Sequence, residues 1–301
     1  MLCASVDIGT NSVLLLIAEV TDGKLRVIKE EQELPRLGRG VDGSGQLHPD
    51  SRLRVIDSLK RYYDILRETE SELPSRTIVT ATSAVRDAAN RNEFLAEIEA
   101  ETGWRVRVLS GEEEARITYR GALRVLRETE QKPFMVIDIG GGSTELAGGK
   151  GMQYSGGISL DIGSVRFSER FLSADPPGLT ELLAAKSAVR EAVPVSFFSE
   201  SESEIVGVAG TITTIAAVIL ELEDYQPGIL NGYQLKLEDL DRFIEQISHI
   251  ASSEIEKINP FFLRGRADVI LAGAVILQGI MKKAGKESLK VSTGGIRHGL
   301  L

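Results

Sequence analysis

Two short stretches hold the residue types needed to grip a phosphate beside a metal ion. In Val136-Ile137-Asp138-Ile139-Gly140-Gly141-Gly142-Ser143-Thr144-Glu145-Leu146 an apolar run breaks at an aspartate, passes three glycines and resumes as a second apolar run. That pattern predicts a strand–turn–strand hairpin. Glycines let the backbone approach a ligand and turn its N–H groups toward it, so Gly140, Gly141 and Gly142 with Ser143 can cradle phosphate oxygens without a cationic side chain. Asp138 and Glu145 offer the carboxylates that hold a hard ion such as Mg²⁺ against substrate phosphates. Near the start, Val6-Asp7-Ile8-Gly9-Thr10-Asn11-Ser12-Val13 repeats the plan. One Asp-Gly turn between strands is ordinary hairpin chemistry. Two copies, each opening half of the chain, point to a paired grip whose second jaw is Gly9, Thr10, Asn11 and Ser12. Asp7 holds metal, orients an attacking water or only caps its own turn.

Three other stretches could serve the same chemistry. Ser110-Gly111-Glu112-Glu113-Glu114-Ala115-Arg116 opens a helix, where glutamates also suit the positive end of the helix dipole. Successive helical residues point about 100° apart, so at most one of the three glutamates faces a given cleft atom. A carboxylate there is placed to orient and deprotonate a water attacking phosphorus. In Ala81-Thr82-Ser83-Ala84-Val85-Arg86, small polar residues including Ser83 precede a helix, a setting that favours anions. Arg86 and Arg166 are of the type that binds phosphate through two parallel hydrogen bonds, or else lie on solvated helix faces. Gly210 and Thr211 form a third strand–glycine–hydroxyl–helix junction, suited to an anion or a nucleotide edge and equally common as loop punctuation. Gly294-Gly295 closes the site from the C-terminal end or forms a plain turn.

The elements that must position these residues read as follows. Leu2–Ile8, Val13–Val20 and Leu25–Leu34 are three strands of an antiparallel meander, followed by a glycine-rich loop over Pro35–His48. A helix opens at Pro49 and reaches about Leu73, with Leu53, Ile56, Leu59, Tyr63 and Leu66 as its apolar face. Strand Ile78–Ala81, helix Asn92–Thr102, strand Val106–Leu109 and helix Gly111–Arg127 complete the first half. The second half repeats the order with strands Phe134–Ile139, Thr144–Ala147 and Met152–Ser159, and helices at Ser164–Phe171 and Thr180–Val193. Strand Glu204–Val208 follows. Helices are expected at Leu237–Ala251, Ser253–Ile258 and Arg266–Ala284, the last apolar almost all round, and a final strand at Ser288–Ser292.

The 301 residues give room for two domains, and 42% hydrophobic with 26% charged residues is ordinary globular composition. A formal net charge of −9 disfavours nucleic acid and anionic membrane surfaces as partners, so a phosphate ligand must be held by local groups. The lone Cys3 reads as a small buried residue. No basic leader or spanning run precedes the first strands, which leaves the cytoplasm as the expected location. His48, His249 and His298 lack ligand spacing, which argues against zinc. Trp104 and Phe261-Phe262 read as core or docking residues.

On Asp7–Ser12, Ala81–Arg91, Gly111–Arg116, Asp138–Glu145 and Gly210–Thr211 the chain resembles the exopolyphosphatase / guanosine pentaphosphate phosphohydrolase family of the actin-like ATPase superfamily, essentially end to end. The resemblance implies an α/β fold of two ribonuclease-H-like domains, with mixed sheets flanked by helices and the active-site cleft between them. The boundary falls in or just after Gly111–Arg127, dividing 1–124 from 125–301, with the last residues packing back on the first domain. It further implies Glu114 as catalytic base, metal roles for Asp138 and Glu145, and phosphate loops at Gly9–Ser12 and Gly140–Ser143.

The expected reaction is Mg²⁺-assisted, in-line attack of water on the terminal phosphoryl group of inorganic polyphosphate, with guanosine pentaphosphate as the alternative substrate. A kinase-like phosphotransferase and a nucleotide-controlled filament protein share the architecture; neither an acceptor signature nor the glutamate-rich helix start favours them. A homodimer accords with the family, though no residue of the sequence specifies one. Family members often carry Arg-Glu-Gly where this chain has Arg297-His298-Gly299, so no role carries over to His298. Longer members have a further helical domain for which this sequence has no room, and shorter polymers are therefore the expected substrates.

Overall fold

The meander forms because three apolar runs are joined by tight turns. Strands β1 (Leu2–Ile8), β2 (Val13–Thr21) and β3 (Lys24–Glu33) pair antiparallel, the second turn running through Asp22 and Gly23, both at positive φ. Two positive-φ residues in a two-residue loop match the right-handed twist of the flanking strands. Strands β4 (Arg76–Ala81) and β5 (Val106–Val108) then add in parallel, giving the order β3-β2-β1-β4-β5. The computed structural model describes residues 1–69, 76–128, 130–198 and 203–301.

The second half repeats this sheet with β6 (Pro133–Ile139), β7 (Thr144–Lys150), β8 (Gln153–Leu160), β9 (Glu204–Val208), β10 (Gln234–Lys236) and β11 (Ser288–Val291). Their order is β10-β11-β9-β6-β7-β8, so β6 sits centrally as β1 does, between an antiparallel and a parallel neighbour. Among the described residues the second sheet adds edge strand β10, antiparallel to β11. Its three residues contain a single buried apolar side chain, Leu235, too little to signal a strand in sequence. Because β1 and β6 are both central and each ends in its Asp-Ile-Gly turn, the two glycine tips emerge at equivalent edges of the two sheets.

Helix Pro49–Thr69 covers the first sheet, and two residues of its expected apolar face are corrected by the structure. Leu53 is exposed, and Tyr62 rather than Tyr63 is buried, its hydroxyl donating to Val13 O at 2.7 Å. Tyr63 instead packs on Trp104, with ring centroids 5.9 Å apart. The expected end near Leu73 lies outside the described residues. In the second half, helix Ile270–Ala284 is buried almost all round, as its composition requires, but it starts four residues later than expected. The loop Pro35–His48 contains a four-residue helix, Val41–Ser44. Among the described residues no helix is long and apolar enough to cross a membrane.

The helix Gly111–Leu126 lies along β8, β7 and β6, with Ala115, Tyr119 and Ala122 in a core shared with Phe134, Val136 and Val206. Against its other side packs a short C-terminal helix, Ile296–Leu300, absent from the sequence expectations, which also touches β1 and β2. Ser5 Oγ donates to Arg297 O at 2.9 Å, joining the chain's end to its first strand. Glycines make this approach possible: a Cβ on Gly121 would lie 2.0 Å from Gly295 O, and one on Gly299 would lie 2.0 Å from Ile117 O. Backbone cannot yield as a flexible side chain does, so Gly121→Ala is expected to destabilise the protein by about 1–3 kcal/mol through overpacking. Thermal melting checks this; an unchanged midpoint would mean that the two helices are not pressed together.

Candidate active site

The two glycine tips meet. A Cβ on Gly141 would fall 2.9 Å from Thr10 Cβ, and one on Gly142 would fall 2.4 Å from Ser83 Oγ and 2.9 Å from Thr10 Oγ1. Each tip closes on itself through a backbone hydrogen bond, Gly9 N to Ser12 O at 2.9 Å and Gly140 N to Ser143 O at 3.0 Å. Helix Ser164–Phe171 is seated on the second tip, with Ser164 N donating to Gly140 O and Val165 N to Gly141 O, both at 2.9 Å. Ser83 Oγ and both polar atoms of the Asn11 side chain are buried at this junction without a hydrogen-bond partner among the described residues. Buried polar groups are normally satisfied, so these are donors and acceptors left for a ligand.

A cleft of ≈ 450 Å³ runs from this junction between the two halves. Its walls include Asp7, Gly9, Thr10, Asn11 and Ser12 from the first tip and Gly140, Gly141, Gly142 and Ser143 from the second. Ser83, Glu114, Asp138, Gly210 and Thr211 line it as well. Three of the residues singled out in sequence do not. Arg86 is turned onto Glu114, Nη1 to Oε2 at 2.8 Å, and onto Leu109 O at 3.2 Å. Glu145, 1% exposed, lies opposite Asp138 across the β6–β7 ladder and accepts from Ser159 Oγ at 2.6 Å. Arg166 is held outside the cleft by Asp87 at 2.5 Å and Asp42 at 3.3 Å.

The three glutamates of the cleft helix separate cleanly. Glu112 is exposed. Glu113 closes a capping box, accepting from Ser110 N at 3.0 Å while its own N–H reaches Ser110 Oγ at 3.3 Å. Glu114 alone is buried, 5% exposed, at the cleft wall. Burial and the neighbouring Glu145 push its carboxyl well above the usual range, against the opposing pull of Arg86. Asp7 is pushed up to about 7 by burial and by Asp138, offset by a 3.2 Å hydrogen bond from Thr80. Burial raises Asp138 to about 6 and, together with Asp138, raises Glu145 to about 8.

Four carboxylates thus crowd one desolvated region, with the Arg86 guanidinium paired to Glu114 and Arg297 acting on Asp7. Among the described residues no three acidic, histidine or cysteine side chains converge into a ready-made metal cage. An all-oxygen donor set with surplus negative charge suits a hard divalent cation that takes one or two carboxylates and completes its shell with substrate and water.

Sequence reasoning missed the cations and aromatics of the far wall. Arg266 stands just before helix Ile270–Ala284, in a turn begun by Gly265 at φ 71°, and so faces the cleft instead of lying on that helix. Its guanidinium has no ion-pair or hydrogen-bond partner among the described residues, and burial lowers it to about 10, leaving it charged at neutral pH. Gly210 makes room for it: a Cβ there would lie 2.5 Å from Arg266 Nη1. Arg297 also lines the cleft and donates to Leu15 O at 2.9 Å. Phe261, Phe262 and Tyr225 line the cleft as well, Phe261 exposed and Phe262 also packed against the second core. A helix pattern extended through Arg266 concealed the first, and two adjacent aromatics carry no periodic signal. His298 is 2% exposed; burial with Arg297 and Arg124 beside it pushes it down to about 3, which keeps it neutral.

These features agree with what the chain is similar to. A model of the Ppx/GppA phosphatase family matches residues 16–301. The sequence is 34% identical over 313 aligned residues to exopolyphosphatase 2 of Mycobacterium tuberculosis, covering 99% of this chain and 96% of the relative. The crystal structure of the Aquifex aeolicus member of the family superposes with a TM-score of 0.82 at 35% identity, over 100% of this chain and 96% of the other. An exopolyphosphatase from Cytophaga hutchinsonii gives a TM-score of 0.89 at 25% identity, over 99% and 96%. With its two mixed sheets and this match across nearly its whole length, the chain belongs to the Ppx/GppA phosphatase family.

Proposed function

We propose that the chain is an exopolyphosphatase that removes the terminal phosphoryl group of inorganic polyphosphate, with Glu114 as the base. The observation that carries this reading is the position of Glu114: the one buried glutamate of its helix, steered by Arg86 and lining the cleft that also holds the two apposed glycine tips. The backbone N–H groups of the tips, with Ser83 and Asn11, hold the terminal phosphate. Arg266 takes phosphate further along the chain by charge-assisted hydrogen bonds. Its raised carboxyl makes Glu114 a stronger base than a free carboxylate once ionised, and the pair with Arg86 keeps one of its oxygens oriented. Asp138 and Asp7, the two aspartates that line the cleft, would hold Mg²⁺, which when bound neutralises charge on the phosphates, while Glu145 stands outside the cleft opposite Asp138 on the paired strand. Phosphoryl transfer asks little else of the protein than positioning and charge.

One observation favours a second substrate. Tyr225, Phe261 and Phe262 in the cleft wall offer apolar faces that a purely inorganic chain does not need and a purine would use. Guanosine pentaphosphate is therefore the alternative. Orthophosphate release from short polyphosphate, long polyphosphate, guanosine pentaphosphate and ATP, assayed side by side with Mg²⁺, separates the two. Short polyphosphate is expected to give the highest kcat/KM, and preference for the nucleotide by tenfold or more would transfer the assignment to it. In excess chelator the activity is expected to vanish and to return with Mg²⁺; undiminished turnover would remove the metal roles of Asp138 and Asp7.

A further inference from the structure

The loop between β3 and helix Pro49–Thr69 leaves the first half and is fastened to the second at several points. At its start, Arg36 pairs with Asp268. Gly40 N donates to Glu169 Oε1 at 2.8 Å. Asp42 receives Arg170 through two hydrogen bonds, Nε at 2.5 Å and Nη2 at 2.6 Å, and Arg166 Nη1 stands 3.3 Å from it. Arg166 in turn reaches Asp87 of the first half at 2.5 Å. The Asp42 carboxylate is therefore the hub, and its side chain is only 16% exposed.

Both ends of this bridge are tied by backbone to the phosphate tips. On the first side, Gly38 N donates to Thr10 O at 2.7 Å and Arg36 N to Asn11 O at 3.0 Å. Buried Leu37, Val41 and Leu47 anchor the loop in the first core, so it cannot move independently of its half. On the second side, Arg166 N donates to Gly141 O at 3.1 Å from the helix that also carries Arg170. The path Thr10–Gly38–Asp42–Arg170–Arg166–Gly141 thus runs from one tip to the other without crossing the cleft.

We propose that Asp42 is a positioning residue: with Arg170 and Arg166 it latches the two halves so that the glycine tips are held against each other at the wall of the cleft. Opening the cleft breaks these pairs, and the charges then separate into water, where they interact weakly and are screened by salt. The latch is a contact between halves and not a substrate contact, so it biases an equilibrium between closed and open forms. Its kinetic consequence rests on the phosphatase reading of the cleft; its structural consequence does not.

Spin labels at Glu68→Cys and Ala184→Cys, both exposed and on opposite halves, report the distance between them, while buried Cys3 stays unlabelled. Without the further change, one narrow distance is expected in low salt. Asp42→Asn is expected to add a longer, broader population, as is Arg170→Gln. With phosphate release as readout, kcat of Asp42→Asn is expected to fall roughly ten- to a hundredfold, the scale at which misplacement remote from the chemistry acts, and Asp42→Glu is expected to restore most of it. Distance distributions unchanged in both variants, with each folded by circular dichroism, would overturn the latch. Broadened distances in a protein that hydrolyses no phosphoanhydride would uphold the latch and refute the assigned activity.

Discussion

Glu114→Gln is expected to lower kcat for terminal phosphate release by about 10²–10⁴-fold, the range that a positioned general base contributes, while polyphosphate still binds. The amide keeps the shape of the side chain and can still accept from Arg86, so the cleft wall retains its form. What it loses is the ability to take the proton of the attacking water. Stability separates this loss from a folding defect. The native carboxyl of Glu114 is raised by burial and by Glu145, so its ionised form weakens the folded state at pH values above its ordinary titration range. A neutral amide removes that penalty, against which stands the loss of the ion pair to Arg86, and the melting temperature is expected to hold or rise. Single-turnover phosphate release, equilibrium binding of short polyphosphate and thermal melting together test the assignment. A variant turning over within threefold of the original enzyme would take the base off Glu114.

Much of this site was legible because glycine and aspartate in a strand context have few alternative uses. The repeat of Asp-Ile-Gly at Asp7 and Asp138 announced two equivalent hairpins, and the sheets prove equivalent around β1 and β6. The helix start at Ser110 was legible from its run of glutamates, which suits the positive end of a helix dipole; that Glu113 closes a capping box with Ser110, leaving two others, is shown only by the folded chain. Which of those faces inward depends on the packing of Ala115 and Tyr119 on the second sheet, a long-range fact. Arginines were the hardest to place. Arg86 and Arg166 were read as phosphate ligands from their neighbours in sequence, yet one is turned onto Glu114 and the other onto Asp87 and Asp42. A guanidinium on a long flexible stem goes to whichever carboxylate the tertiary fold brings within reach, and acidic partners 28 and 79 positions away cannot be read locally. The C-terminal helix escaped notice because five residues carry no period, and its docking depends on glycine contacts that only the folded backbone shows.

Arg266 therefore carries the second large expectation. Arg266→Met is expected to raise KM for short polyphosphate by about 10- to 150-fold, since a hydrogen bond to a charged group contributes about 1.5–3 kcal/mol. Methionine fills much of the same volume beside Gly210 and brings no charge. The reason for expecting an effect on binding before one on kcat is position: Arg266 lines the cleft beside Gly210 and Thr211 and has no contact with Glu114. A structural arginine would behave differently. Buried structural guanidiniums are paired, as Arg52 is with Glu93 and Glu97, and removing one partner of such a pair is costly. Arg266 has no such partner, and its lowered pKa of about 10 records burial alone. Its removal should relieve a desolvation cost, so the melting temperature of the free enzyme is expected to hold or rise while the stabilisation given by added polyphosphate shrinks. Orthophosphate or short polyphosphate raising the melting temperature of Arg266→Met as much as that of the unmodified protein, with KM within twofold, would show that this guanidinium does not meet the substrate.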